Sequence, residues 1–221
     1  MEERYIRNLG ALTESECLTL RGKRAFVAGC GGLGGYIVEL LLRLGIGGVT
    51  AADGDVFEAS NLNRQLYALP ALLGRNKAVA AAERARLVNP GVSFHAVPDF
   101  ITEENAPALL AGCDVALDAL DSAGARKLLS SACAAAGIPL IHGAIRGWTA
   151  QAAISLPGDA LMELLYPAGD APGVCPSLSF TPPFCAAMQV ALCAKLLCGR
   201  PVQPGRVYLA DLLDMDFAAL F

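Results

Sequence analysis

The stretch Gly29-Cys30-Gly31-Gly32-Leu33-Gly34-Gly35 constrains this chain more than any other, because of what stands on either side of it. Before it, Arg24-Ala25-Phe26-Val27-Ala28 has the apolar run of a short buried strand. After it, Leu33, Ile37, Leu40, Leu41 and Leu44 recur at helical spacing. Between them lies a G-x-G-x-x-G turn, in which glycines let the backbone bend tightly and approach a phosphate, while the free N–H groups and dipole of a helix start supply fixed positive potential. Val49-Thr50-Ala51-Ala52-Asp53 then reads as a second strand ending in an acid. Asp53 stands roughly 20 residues past the glycines, where such folds place a carboxylate for ribose hydroxyls. The pattern points to a bound nucleotide and leaves open which one.

A chain of 221 residues has room for one α/β domain with a full core, and a single domain over 1–221 is expected. Hydrophobic residues make up 54% of it. Alanine carries much of that share, and no uninterrupted apolar run reaches the ~18 residues that would span a membrane. The start, Met1-Glu2-Glu3-Arg4-Tyr5, lacks the apolar core of a signal peptide, so a cytoplasmic protein with no membrane partner is expected. The eight cysteines form no C-x-x-C pair, which spells neither a zinc knuckle nor a thioredoxin-type site, and most read as small core residues. A formal net charge of −4 argues against a sequence-independent grip on nucleic acid. A protein or small-molecule partner suits it better.

Along the chain, Thr13-Glu14-Ser15-Glu16 fits a capping box opening a short helix to about Leu20. The arm before it, Arg4 to Asn8, has few apolar anchors and reads by itself as a solvated tail. The polar connection from Gly54 to Gln65 follows the second strand, at the sheet edge where doubly wound folds put their chemistry. Gly74 to Asn89 reads as a helix with Lys77 in its first turn, where a cation opposes the helix dipole unless an anion sits nearby. Ser93 to Val97 and Val115 to Asp118 read as strands, Asn105 to Leu110 and Ala125 to Ala136 as helices, and Ile138 to Ala144 as a further strand. Asp121, just past a strand end, is placed either to hold magnesium or to cap the following helix. Thr149 to Leu156 reads as an antiparallel addition, 157–183 as irregular, Phe184 to Leu197 as a helix and Val207 to Asp211 as a last strand before an apolar tail. His95 and His142 lie too far apart in sequence to spell a metal or triad site, and core or strand-end roles fit them better. The sum is an α/β fold: a doubly wound, mainly parallel sheet with antiparallel C-terminal additions.

Gly29-Cys30-Gly31-Gly32-Leu33-Gly34, Asp53-Gly54-Asp55, Ser60-Asn61-Leu62-Asn63-Arg64-Gln65, Lys77 and Asp118-Ala119-Leu120-Asp121 together resemble the ThiF/MoeB/HesA family, the bacterial relatives of ubiquitin-activating enzymes. The likeness runs from Arg4 to about Leu197. It implies a Rossmann-like fold and an ATP-dependent adenylyltransferase that activates the C-terminal glycine carboxylate of a ubiquitin-like sulfur carrier ending in Gly-Gly. The resemblance also implies a homodimer. Carried onto this sequence, it makes Gly29, Gly31, Gly32 and Gly34 the phosphate loop and Asp53 the ribose ligand, with Asp55 beside it. Asn61, Arg64, Gln65 and Lys77 become contacts to the triphosphate and Asp121 the Mg²⁺ ligand, while Arg7 would reach the ATP of the neighbouring subunit. A carboxylate attacking a polyanion needs cations to offset repulsion and needs no general base, because it is already ionised at neutral pH. Two departures stand out. The paired C-x-x-C motifs that hold zinc in many members are missing, so no zinc is expected, and Cys175 lies in the loop that carries a sulfur-transfer cysteine in some members without a recognisable motif around it. Other readings of the same residues are an NAD(P)-dependent oxidoreductase, a non-catalytic nucleotide-binding module, or a family member acting on a tRNA base or a peptide C-terminus.

Overall fold

The computed structural model describes residues 2–169 and 175–220. Its frame is one eight-stranded sheet in the order β3-β2-β1-β4-β5-β6-β7-β8, built from β1 (Arg24–Ala28), β2 (Gly48–Ala52), β3 (Ser93–Val97), β4 (Val115–Asp118), β5 (Leu140–Arg146), β6 (Thr149–Ser155), β7 (Val207–Asp211) and β8 (Asp216–Leu220). β1 to β5 run parallel, and β6, β7 and β8 add antiparallel. The expected fold class is therefore the observed one. The strands divide their side chains between two buried faces with a period of two: Ala25 and Val27 enter one core, Phe26 and Ala28 the other.

Helices cover both faces. α2 (Gly32–Leu44), α3 (Lys77–Val88) and α7 (Thr181–Leu197) pack around Ile37, Leu41, Ala81, Val190 and Cys193 on the first. α4 (Ala106–Leu110) and α5 (Ala123–Ala136) bury Leu110, Leu129 and Cys133 on the second, and α6 (Leu161–Leu165) places Met162 against Ala153 and Val207 farther along. The chain leaves β1 toward β2 on one side and later returns to β4 on the other, so a crevice opens between the carboxyl ends of β1 and β4. Ligands of doubly wound sheets bind there. Among the described residues no helix is long and apolar enough to cross a membrane.

Thr13 caps α1 (Glu14–Arg21) reciprocally with Glu16, as the capping-box spacing predicts. The arm before it is no solvated tail. It forms a 3₁₀ turn over Glu3–Asn8 in which Tyr5 is buried against Gly45, Asn89 Nδ2 donates to the Tyr5 hydroxyl, and Arg4 donates to Asn89. One aromatic ring and a buried amide far away in sequence anchor it. The irregular stretch 157–183 contains α6 and the first turn of α7. Pro182 and Pro183 fall at the start of that helix, where a missing N–H costs nothing, so residues that read as breakers open the helix. Residues 170–174 of that stretch lie outside the described residues. The apolar tail pairs as β8 along β7 and stays exposed.

Candidate active site

The crevice holds a cavity of about 410 Å³ whose floor is the glycine turn. Gly29 has φ +96°, and a Cβ there would lie 2.7 Å from the Ala119 carbonyl oxygen, so β1 and β4 close together only around glycine. Gly34 is not part of the wall. It lets α2 press on the strand end, since a Cβ on it would meet the Gly29 carbonyl at 1.8 Å. Gly31, at the N-cap of α2, offers no side chain to the first N–H groups of the helix, which leaves those donors and the dipole for an anion.

Asp53 follows the last residue of β2 and is 9% exposed, with Oδ2 accepting from Cys30 N–H at 2.7 Å and Oδ1 from Asp55 N–H at 2.8 Å. Burial raises its pKa above the ordinary aspartate value, against the opposing pull of those two bonds and of Lys77. Lys77 opens α3 and pairs through Nζ with Asp55 Oδ2 at 3.1 Å. Asn76 sets that geometry. It caps α3 by accepting from Val79 N–H and ties the loop after β2 to the helix by donating to the Asp53 and Asp55 carbonyls.

Arg64 donates to the Ser60 carbonyl and the Asn63 side chain at 2.9 Å each while lining the cavity beside Gly32. Gln65 lies over Gly31 with its Oε1 buried and without a partner among the described residues, an acceptor that a ligand donor would satisfy. Asp121 lines the opposite wall. Its rival role is taken: Ser122, not Asp121, caps α5 by accepting from Ala125 N–H, so the Asp121 carboxylate is left to face the crevice.

Gly29, Gly31, Gly32, Asp53, Asp55, Arg64, Gln65, Lys77, Asp121 and Cys175 all line this cavity. Asn61 and Arg7 do not. Asn61 is buried in its own turn, accepting from Glu58 N–H at 3.1 Å. Arg7 is exposed at the far end of the molecule: Asn8 donates to the Leu44 carbonyl at the end of α2, a helix of 13 residues that starts at the crevice and spans ~20 Å at 1.5 Å per residue. The sequence reading had not singled out Phe100, Ile101, Leu120 or Arg126, which also face the cavity. Phe100 packs its ring against Gly54, where a Cβ would come within 2.5 Å of it, and with Ile101 and Leu120 supplies apolar wall suited to a nucleobase. The available signal was position: each follows a strand at the carboxyl edge of the sheet.

Among the described residues, three cationic side chains (Arg64, Lys77, Arg126) and three carboxylates (Asp53, Asp55, Asp121) line the cavity. That balance gives a triphosphate no surplus of positive charge from the described residues. A nucleotide-borne divalent cation would supply it. Magnesium bound with phosphates needs one or two carboxylates rather than a dedicated cage, and among the described residues there is no cluster of three or more His, Cys, Asp or Glu that could make such a cage. A second cavity of about 650 Å³ adjoins the first. They share Asp121, Ser122, Arg126, Ile145 and Cys175, and the second continues along Arg146, Gln151, Tyr166 and Leu209. Cys175 is exposed at the junction, its Sγ 3.5 Å from the Ile145 carbonyl oxygen.

The chain is similar to known proteins in sequence and in fold. The chain is 35% identical to a SAMP-activating enzyme E1 from Haloferax volcanii over 90% of this chain and 76% of that one. It is 33% identical to a sulfur carrier protein adenylyltransferase from Thermus thermophilus over 90% of this chain and 79% of that one. The crystal structure of E. coli tRNA N6-threonylcarbamoyladenosine dehydratase shares the fold at a TM-score of 0.76 and 23% identity, covering 89% of this chain and 94% of that one. The model of the ThiF family matches residues 4–220, and the chain belongs to that family.

Proposed function

We propose that this protein uses Mg-ATP to adenylate the C-terminal glycine carboxylate of a ubiquitin-like sulfur carrier protein, releasing pyrophosphate. The observation that carries the reading is the continuity of the two cavities. The glycine-floored cavity adjoins, past Asp121, a second cavity of about 650 Å³, and in this reading the first takes the nucleotide and the second a narrow, small-residue chain terminus. The names of the two relatives, an activating E1 and a sulfur carrier adenylyltransferase, support the same class of partner.

In this reading Asp53 accepts from the ribose, and the apolar wall of Phe100, Ile101 and Leu120 shields the base from water. The glycine turn, Arg64 and Lys77 hold the β- and γ-phosphates, so that the charge gathering on pyrophosphate meets fixed donors. Asp121 would hold magnesium, which offsets phosphate charge during the displacement. A carboxylate oxygen of the carrier forms the new bond to the α-phosphorus as the bond to the β-phosphate oxygen breaks, and no proton changes hands. His142, sealed in the sheet, needs no part in it.

Arg7 cannot reach this crevice from its own subunit. We assign it to the ATP site of a second copy in a twofold dimer, an arrangement that gives two shared sites. Cys175 stands where a thiol could receive the activated acyl group after adenylation, a later step that adenylation itself does not need.

The test is ATP–pyrophosphate exchange with each Gly-Gly-ended carrier from the same cell. Exchange that depends on one carrier supports the proposal. Exchange that no carrier stimulates, or that tRNA or a short peptide stimulates instead, overturns the assigned substrate. Binding of NADH without Mg-ATP in a fluorescence titration would return the site to an oxidoreductase.

A further inference from the structure

The turn that carries Asp121 is shaped by two side chains of a buried polar cluster. Asp118, the last residue of β4, is fully buried and accepts the Leu120 N–H on Oδ1 at 2.9 Å. Arg126, in the first turn of α5, donates from Nη2 to the Leu120 carbonyl at 2.6 Å. Leu120 is thus held at both its N–H and its C=O, and the next residue is Asp121.

The two gripping groups also hold each other. Arg126 Nε lies 3.3 Å from Asp118 Oδ2, which in turn lies 2.7 Å from His142 Nδ1. Gln151 and the Tyr166 hydroxyl meet the other His142 nitrogen at 3.1 and 3.2 Å, and the Tyr166 ring lies 5.0 Å from the guanidinium carbon. The Arg126 side chain is 10% exposed, yet it borders both cavities. Burying a guanidinium is costly, and helix capping does not call for it here, since Ser122 caps α5. The guanidinium donates from Nη2 to a carbonyl while its Nε, which makes no hydrogen bond among the described residues, stands in ion-pair contact with a carboxylate, and a group that broad and planar is arginine rather than lysine.

We infer that Arg126 is a positioning residue for adenylation: through the Leu120 carbonyl it fixes the direction in which Asp121 presents its carboxylate to the nucleotide-borne metal. The inference rests on the reading of Asp121 as the magnesium ligand. Asp118 is the counter-charge that lets the guanidinium stay buried, and Tyr166 keeps it over the turn.

A double-mutant cycle on the full chain tests this with Arg126→Lys, Asp121→Asn and the double variant. The readouts are pyrophosphate exchange, the magnesium concentration that half-saturates ATP binding, and calorimetric binding of metal-free ATP. Arg126→Lys should lower exchange kcat about tenfold or more, as misplacement of a catalytic group does, and raise the magnesium requirement, with metal-free ATP binding unchanged. Added to Asp121→Asn, the same substitution should cost less than about twofold more, because the group it positions is already lost. Losses that multiply, metal-free ATP affinity that falls in step, or full activity of Arg126→Lys would each overturn the inference while leaving Asp121 in place. An Asp121→Asn variant with a wild-type magnesium response would overturn the reading beneath it and the inference with it. Should Arg126→Lys fail to fold, Tyr166→Leu takes its place, and an unchanged magnesium response would then be the contradicting result.

Discussion

Lys77 Nζ and Asp55 Oδ2 stand 3.1 Å apart, but they meet solvent unequally: the Lys77 side chain is 8% exposed and that of Asp55 53%. A buried ammonium in the first turn of α3 opposes the helix dipole, and Asp55, paired with it, and nearby Asp53 offset its charge. Lys77→Ala should cut adenylation by about 100-fold, the usual scale for loss of one preorganised electrostatic contact to a transition state. Asp55→Asn should cost far less, since it removes a partner and a phosphate-repelling charge together. Pyrophosphate exchange on both variants checks this, and equal losses would place Asp55 among the nucleotide ligands in its own right.

Asp121 and Ser122 are neighbours with separable jobs. If Asp121 holds the metal as proposed, Asp121→Asn should lower exchange by at least about 100-fold with little change in thermal midpoint, because a metal ligand is lost and no cap is. Ser122→Ala should do the reverse, costing about 1 kcal/mol of stability through the lost N-cap bond. Thermal melts run beside exchange assays separate the two, and a destabilised Asp121→Asn would return that residue to a structural role.

The contact between the segment after α7 and the N-terminal helix carries a pH dependence. Arg200 grips Glu16 through Nε at 2.5 Å and Nη2 at 2.8 Å, and together with the Thr13 N–H it lowers the Glu16 pKa from the ordinary glutamate value to about 2. A depressed carboxylate pKa stabilises the fold above the unfolded value of 4.5 and loses that contribution as pH falls from there toward 2. Denaturation midpoints should therefore drop across that window, and Glu16→Gln should flatten the drop. A Glu16→Gln curve with the wild-type slope would assign the acid sensitivity to other carboxylates.

The glycine-floored half of the cavity was legible because its residues follow one another along the chain. The glycines, Asp53 and the first strands combine a local turn requirement with continuous apolar runs, and both are visible in sequence. What escaped was long-range. Asp118 reaches His142 and Arg126 only because β4, β5 and α5 converge, and Tyr5 finds Asn89 across the molecule. Asn61 shows the converse: its motif is plain, but the side chain is turned to its own loop.

Arg7 offers a symmetry test. Arg7→Ala and Asp121→Asn homodimers should each be nearly inactive if the arm serves the neighbouring site, while a mixed dimer holds one site with both defects and one with neither. Equal amounts, unfolded and refolded together, should recover roughly a quarter of wild-type activity, since half the dimers are mixed and each has one sound site of two. No recovery, in a mixture shown by tagged pull-down to contain mixed dimers, would remove Arg7 from the site.

The most direct test of the central claim follows one oxygen atom. A carrier whose C-terminal carboxylate is labelled with heavy oxygen is incubated with the protein and Mg-ATP, and the AMP released on hydrolysis of the product is weighed by mass spectrometry. Attack by the carboxylate on the α-phosphorus transfers a carboxylate oxygen to AMP, so heavy AMP is the expected result. AMP of ordinary mass, or nucleotide released only as ADP and phosphate, would contradict adenylation at this site.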